Sequence, residues 1–187
     1  GVALAQASYD TLRVANEDQT SPYHVWFDWV PELVTTPDGG AWAFFGAQAR
    51  PGASPATRRL YAARFDPDRA VWRPAIPMAG DQIQFGPAAG VDSGGTVHLV
   101  YSQVVADETA PRSDLLYVAI APDGTMTAPA PVASHPDAGQ QMLPALAIDG
   151  EDRVHAVWRD QRGVTPEARA AMPANGDLYE ATLEGGE

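Results

Sequence analysis

The sequence has 187 residues, enough for one or two ordinary domains with a real core. Its 24 acidic and 12 basic residues leave a net charge of −12, which excludes nucleic acid and insertion at an anionic membrane, since both need clustered basic charge. Cysteine is absent, so disulfide frameworks and thiolate metal sites are excluded too, and no apolar run approaches the ~18 residues of a membrane span.

All the basic residues are arginine, a bias that reads as compositional before it reads as functional. At the start, Val2-Ala-Leu-Ala-Gln-Ala-Ser8 resembles the end of a signal peptide with an A-x-A site, but it is too short to be a full signal. Thr11–Ala15 then reads as a strand, followed by the aromatic stretch Tyr23-His-Val-Trp-Phe-Asp-Trp29.

From Pro31 onward the chain repeats itself. Pro31, Pro87 and Pro144 are spaced by 56 and 57 residues. Thr36, Asp92 and Asp149 follow five residues after them, and then come the runs Trp42–Phe45, His98–Tyr101 and His155–Trp158. Leu60-Tyr-Ala-Ala63, Leu116-Tyr-Val-Ala119 and Leu178-Tyr-Glu-Ala181 give a third matching phrase.

The first unit predicts strands over 32–35, 41–46, 59–65 and 71–78, with turns at Pro37–Gly40 and Asp66–Arg69. The second predicts 88–92, 96–103, 114–121 and 125–132. The second strand of each unit is almost wholly apolar, as in strands covered on both faces. Thr165–Met172 reads as a helical turn within a loop, and no segment sustains a helical period.

This predicts an all-β fold of β-propeller blades, each of four antiparallel strands, with three blade-equivalents in the chain. Residues 31–80 and 81–136 form two blades, 137–187 a blade lacking its fourth strand, and 1–30 a strand completing another blade. Three blades cannot close a ring. The expected partner is therefore a second copy giving a six-bladed ring, or another propeller fragment supplying the missing blades.

The phrase P-x-x-x-x-D-x-x-G-x-V-H-x-V-W, then L-Y-x-A, then P-x-x-V, resembles the sialidase-like, BNR-repeat propellers over Pro31 to Leu183. That resemblance implies an arginine triad gripping a carboxylate, an acidic proton donor and a Tyr–Glu nucleophile pair. The chain departs from the pattern. No R-I-P sequence stands near the start, and the Asp-box is eroded to Asp66-Pro-Asp-Arg-Ala-Val-Trp72 and Pro122-Asp-Gly-Thr-Met126.

The catalytic candidates are Arg159, Asp160 and Arg162: an arginine pair can hold a carboxylate bidentately, with Asp160 as acid or base. The alternative is that Asp160 caps a turn and bridges Arg162. The ligand-binding candidates are Tyr23, His24, Trp26 and Asp28, which can stack and bond at a channel mouth, with Gln84 and Gln141 beside them. Arg58, Arg59 and Arg112 precede third strands and line a binding face or discourage edge pairing. His98 and His155 recur at one repeat position, which points to packing.

Asp149–Asp152 has the composition of a calcium loop, but a tight turn needs Asp and Gly for backbone reasons alone. No zinc spacing and no phosphate loop occur, so no metal or cofactor is expected. The expected function is an extracellular, non-catalytic propeller module for glycan or protein binding, secreted or at the cell surface. The alternative is a sialidase-like glycoside hydrolase, active only when the ring is completed.

Overall fold

The computed structural model describes residues 23–25, 30–49, 58–105, 112–133, 139–171 and 176–183. They form three antiparallel sheets in sequence order. The first contains β1 (Tyr23–Val25), β2 (Glu32–Thr35), β3 (Ala41–Ala49), β4 (Arg58–Asp66), β5 (Val71–Trp72) and β6 (Ile76–Pro77). Here β1 and β2 both pair with β3, while β5 and β6 both pair with β4, so six short pieces make four strand positions.

The second sheet runs β7 (Gln84–Val91), β8 (Val97–Val104), β9 (Ser113–Ile120) and β10 (Ala130–Pro131). The third runs β11 (Gln141–Ile148), β12 (Val154–Asp160) and β13 (Asp177–Leu183). A short helix, α1 (Pro166–Ala171), lies in the loop before β13. These are propeller-like blades: the first strands β2, β7 and β11 lie beside one another, and each sheet packs its face on the next.

Strand alternation explains the packing. Even-numbered positions of the first blade, Trp42, Phe44, Leu60 and Ala62, meet Val97, Leu99, Tyr101, Val118 and Ile120 of the second in one buried cluster. The opposite face of the second blade, Val100 and Leu115, meets Ala156 and Trp158 of the third. A strand sandwiched this way must be apolar on both sides, which is why β8 reads Val-His-Leu-Val-Tyr. Burying a leucine such as Leu60 or Leu115 contributes about 1.5–3 kcal/mol. Gly90 lets the third blade come close, since a Cβ there would lie 2.7 Å from Leu146 Cδ2.

The recurrent proline marks a bulge. The register slips between Phe85 and Ala88 and again between Met142 and Ala145, leaving Gly86-Pro87 and Leu143-Pro144 outside the ladder. Proline has no amide to donate, so a bulge is where a strand tolerates it. Gly86 and Leu143 take left-handed φ values of 60° and 55°. In the first blade β1 and β2 pair with different stretches of β3, Ala47–Ala49 and Ala41–Phe44.

The observed boundaries differ from the predicted ones at the first and the fourth strands of the blades. The first blade reaches back to Tyr23, not Pro31, because β1 pairs with the same strand β3 as β2 does. The first strands of the later blades begin at Gln84 and Gln141 for the same reason. The single fourth strand expected over 71–78 splits into β5 and β6, and the second blade's fourth strand shrinks to β10 with a bridge at Met126.

The L-Y-x-A phrase is also out of phase in the second blade. Tyr61 pairs with Phe45 and Tyr179 with Trp158, but their counterpart Tyr101 pairs with Leu116. Leu115 is therefore the structural partner of Leu60 and Leu178. The strand expected over Thr11–Ala15 lies outside the described residues.

Candidate functional site

The strand registers bring the candidates to one end of the blades. His24, Gln48 and Arg58 are aligned across β1, β3 and β4; Gln84, Gln103 and Asp114 across β7, β8 and β9; Gln141, Asp160 and Asp177 across β11, β12 and β13. Arg59, Arg112, Arg159 and Arg162 lie at the same end by chain position. Trp26 and Asp28 lie outside the described residues, and Tyr23 and His24 are placed by strand position alone.

At the third blade this end is built on Asp160, whose side chain is fully buried. Its carboxylate accepts from the Arg162 backbone amide at 2.8 Å, Arg162 Nε at 2.8 Å and Arg162 Nη2 at 2.5 Å. Gln141 Nε2 and Trp158 Nε1 each add a bond at 3.2 Å. Burial alone would push the carboxyl up, but the Arg162 bonds outweigh it and hold Asp160 below the usual carboxylate range. Four of these five donors bond Oδ2 and one bonds Oδ1, so the ionised carboxylate serves to fasten the loop of Arg162 to its own blade.

Arg162 lies 4.0 Å above the Tyr179 ring, which stacks on Trp158, so its guanidinium is held on both its edge and its face. Alternation along β12 puts Arg159 on the opposite face from Asp160 and Trp158. The structure thus unites Asp160 with Arg162 and separates both from Arg159.

The two glutamines form matching clamps between blades. Gln84 Oε1 accepts from the Leu60 amide at 3.2 Å, and its Nε2 donates to Ala79 O at 2.5 Å and Gln103 Oε1 at 3.1 Å. Gln141 Oε1 accepts from the Leu115 amide at 2.9 Å, and its Nε2 donates to Ala133 O at 3.4 Å as well as to Asp160. Each glutamine joins the third strand of the preceding blade, and the segment just after its fourth, to its own second strand. A buried amide left without its acceptor costs about 1–3 kcal/mol.

The other arginines at this end differ in how they are held. Arg59 Nη2 donates to Met78 O at 2.5 Å, joining β4 to the residue that follows β6 in the same blade. Arg112 sits beside Asp114, with Nη2 at 3.2 Å from Oδ1, and both side chains remain partly exposed. Arg58 is exposed at the start of β4.

One carboxyl escaped the sequence reading. Glu32 lies on the inner strand β2, next to β7, and burial raises it above the usual carboxylate range against a hydrogen bond from the Ala89 backbone. The available signal was a lone glutamate opening the short inner strand Glu32-Leu-Val-Thr35.

The opposite end of the blades carries turns. Asp92 accepts from the Thr96 amide at 2.7 Å and holds His98 Nε2 at 3.1 Å, while His98 Nδ1 meets the Tyr117 hydroxyl at 2.7 Å. Asp149 accepts from the Glu151 and Arg153 amides and holds His155 Nε2 at 3.1 Å. The D…H pair is therefore a turn-to-strand buttress repeated in two blades. Asp152 spends its carboxylate on Ser93, accepting the backbone amide at 2.8 Å and the hydroxyl at 2.5 Å, which links the turns of adjacent blades.

Two clefts of about 160 and 210 Å³ open at this turn end, both lined by Trp42 and Arg64. They lie away from the loop-end candidates. Arg64 is engaged there by Asp38 at 3.4 Å and packs 5.8 Å from the Trp42 ring. No helix among the described residues is long and apolar enough to cross a membrane.

No family model matches the chain, and no curated protein matches it. Solved structures do. An endo-arabinase from Bacteroides thetaiotaomicron matches with TM-score 0.50 at 11% identity, over 84% of this chain and 56% of that one. A thermostable family-43 glycoside hydrolase matches with TM-score 0.51 at 9% identity, over 84% and 55%. A further glycoside hydrolase matches with TM-score 0.50 at 15% identity, over 84% and 33%. The chain spans about half the length, or less, of these structures. The arabinase and the family-43 enzyme have a five-bladed β-propeller fold. The chain accordingly has a propeller architecture of the kind found in glycoside hydrolases, a likeness of fold and not specifically that of the sialidases.

Proposed function

We propose that this chain is part of a carbohydrate-directed propeller, acting outside the cytoplasm as a non-catalytic module that binds an acidic glycan at the loop end of its blades. The observation that carries the reading is that Arg58, Arg59, Arg112, Arg159 and Arg162 lie, by strand or chain position, at the one end of the blades, Arg112 and Arg162 beside Asp114 and Asp160. Guanidinium groups suit the carboxylates of uronic or sialic acids. Tyr23 and His24, at the same end by strand position, suit a sugar face. Further blades complete the ring.

The test is calorimetric titration with uronate-containing, sialylated and neutral oligosaccharides. Binding of an acidic sugar is expected to weaken roughly tenfold in Arg112→Gln, about the cost of one charge-assisted hydrogen bond. Equal binding of neutral and acidic sugars, or none of either, would sink the reading.

Glu32 favours a second reading, a glycoside hydrolase completed by the remaining blades. A carboxyl pushed up by burial on an inner strand is suited to protonate a leaving oxygen. Under this reading an aryl arabinoside or aryl sialoside is hydrolysed, and Glu32→Gln removes the alkaline limb of the pH profile. Turnover unchanged by Glu32→Gln would rule out that role.

A further inference from the structure

The third blade repeats the surface that the first two blades use to receive a neighbour. Leu178 pairs with Arg159 as Leu60 pairs with Gly46 and Leu115 with Ser102. Leu60 and Leu115 are fully buried beneath the following blade, whereas Leu178 is 79% exposed. Val157 is 41% exposed, although its counterpart Val100 is fully buried. Ala145 and Ala147 continue the bare strip, and His155 with Glu180 forms a polar margin at the turn end.

The edge repeats as well. The carbonyls of Leu60 and Leu115 accept from Met78 and Val132 at 2.8 and 2.9 Å, and their amides are capped by Gln84 and Gln141. In the same register the amide and carbonyl of Leu178 point to the outer edge of β13, where no described strand pairs.

We propose that the far face and outer edge of the third blade dock a further propeller blade from outside these 187 residues, one whose first strand opens on a glutamine that caps the Leu178 amide. Both existing interfaces use that residue with the same three bonds, and continuing them requires a third. A second copy of this chain does not supply it. The corresponding strand position of the first blade, paired with Ala47, is Val25, whose side chain has no acceptor. The inference rests on blade stacking alone, so a chain that binds no glycan still submits to the same test.

The test measures amide hydrogen exchange. In the 187-residue chain Leu60 and Leu115 are expected to exchange slowly and Leu178 fast, at every protein concentration. A second protein carries residues 121–183 appended after Leu183; Leu183 pairs with Val154 as Ile120 pairs with Val97, so the copied segment enters in register. There Leu178 is expected to become protected. Gln141→Val made only in the appended copy should speed its exchange again by roughly 10- to 100-fold, as for a buried amide losing its acceptor.

Protection of Leu178 that rises with the concentration of the 187-residue chain would overturn the proposal in favour of a second copy. An extended, folded chain with Leu178 still unprotected would overturn it outright. Should the extended chain not fold, Gln141→Val in the original chain decides: Leu115 must lose protection, and unchanged exchange there would remove the basis of the clamp.

Discussion

Leu143 shows how a single residue carries the cost of an irregular strand. It holds a left-handed φ of 55° at the bulge position that glycine fills in the second blade, and its side chain is half exposed. The left-handed region costs an L-residue roughly 1–2 kcal/mol, partly offset by the entropy glycine loses on folding. Leu143→Gly should therefore raise stability by up to about 1 kcal/mol, and Gly86→Ala should lower it by about as much. Urea unfolding of both variants checks the pair, and a destabilised Leu143→Gly would mean that Leu143 packs more than it strains.

Among residues, Asp160 was only half legible. Its position after Val157-Trp158 marked it as special, and capping by Arg162 was one of two readings open from sequence. Only the fold reveals the bond from Gln141, 19 residues earlier on β11, whereas Trp158 reaches Asp160 from two positions earlier on the same face of β12.

At the scale of elements, turns hold the blades at one end and glutamines at the other. In the first blade the turn between β4 and β5 is fastened by Asp66, which accepts from Arg69 Nη1 at 2.8 Å and Arg73 Nη2 at 3.0 Å. Bonds from Arg69 and then Arg73 lower its pKa to about 2 from an ordinary 3.8. A depressed folded-state pKa stabilises above the unfolded value, and the contribution is lost as pH falls through the folded one.

The stability advantage of the native chain over Asp66→Asn should thus be constant above about pH 5, fall as the pH drops from about 4 toward 2, and be lost below about 2. Thermal melts across that range test it, and an advantage that stays level from pH 5 down to 2 would show the arginines to be bystanders. This turn is the place where the sequence shows an eroded Asp-box. What survives there is the carboxylate fastening arginines on the far side of the turn.

Elements were most legible where a covered strand needs an unbroken apolar run, as in β8, and least where strand pieces are short. The fourth-strand pieces β5, β6 and β10 are two residues each and partly contain proline, so no periodicity can announce them. The slipped L-Y-x-A phrase misled for a related reason. Leu115-Leu116 offers two leucines to a pattern search, and only the pairing with Ser102 and Tyr101 shows which one faces the next blade.

For the whole molecule, the repeat was enough to give an all-β stack of blades, because each blade must bury two faces and the sequence says so three times. The loop-end site was less legible. Its candidates lie far apart in sequence and meet only through the registers of three separate sheets.

The clamps also give the stack a direction in time. The acceptor for Leu60 lies 24 residues later in the chain and that for Leu115 lies 26 residues later. During synthesis from the N-terminus, a blade that has already emerged therefore stays unsealed until the opening strand of its successor follows. Folding must trail elongation by about one blade, and a ribosome that stalls inside a blade leaves two blades unfinished instead of one.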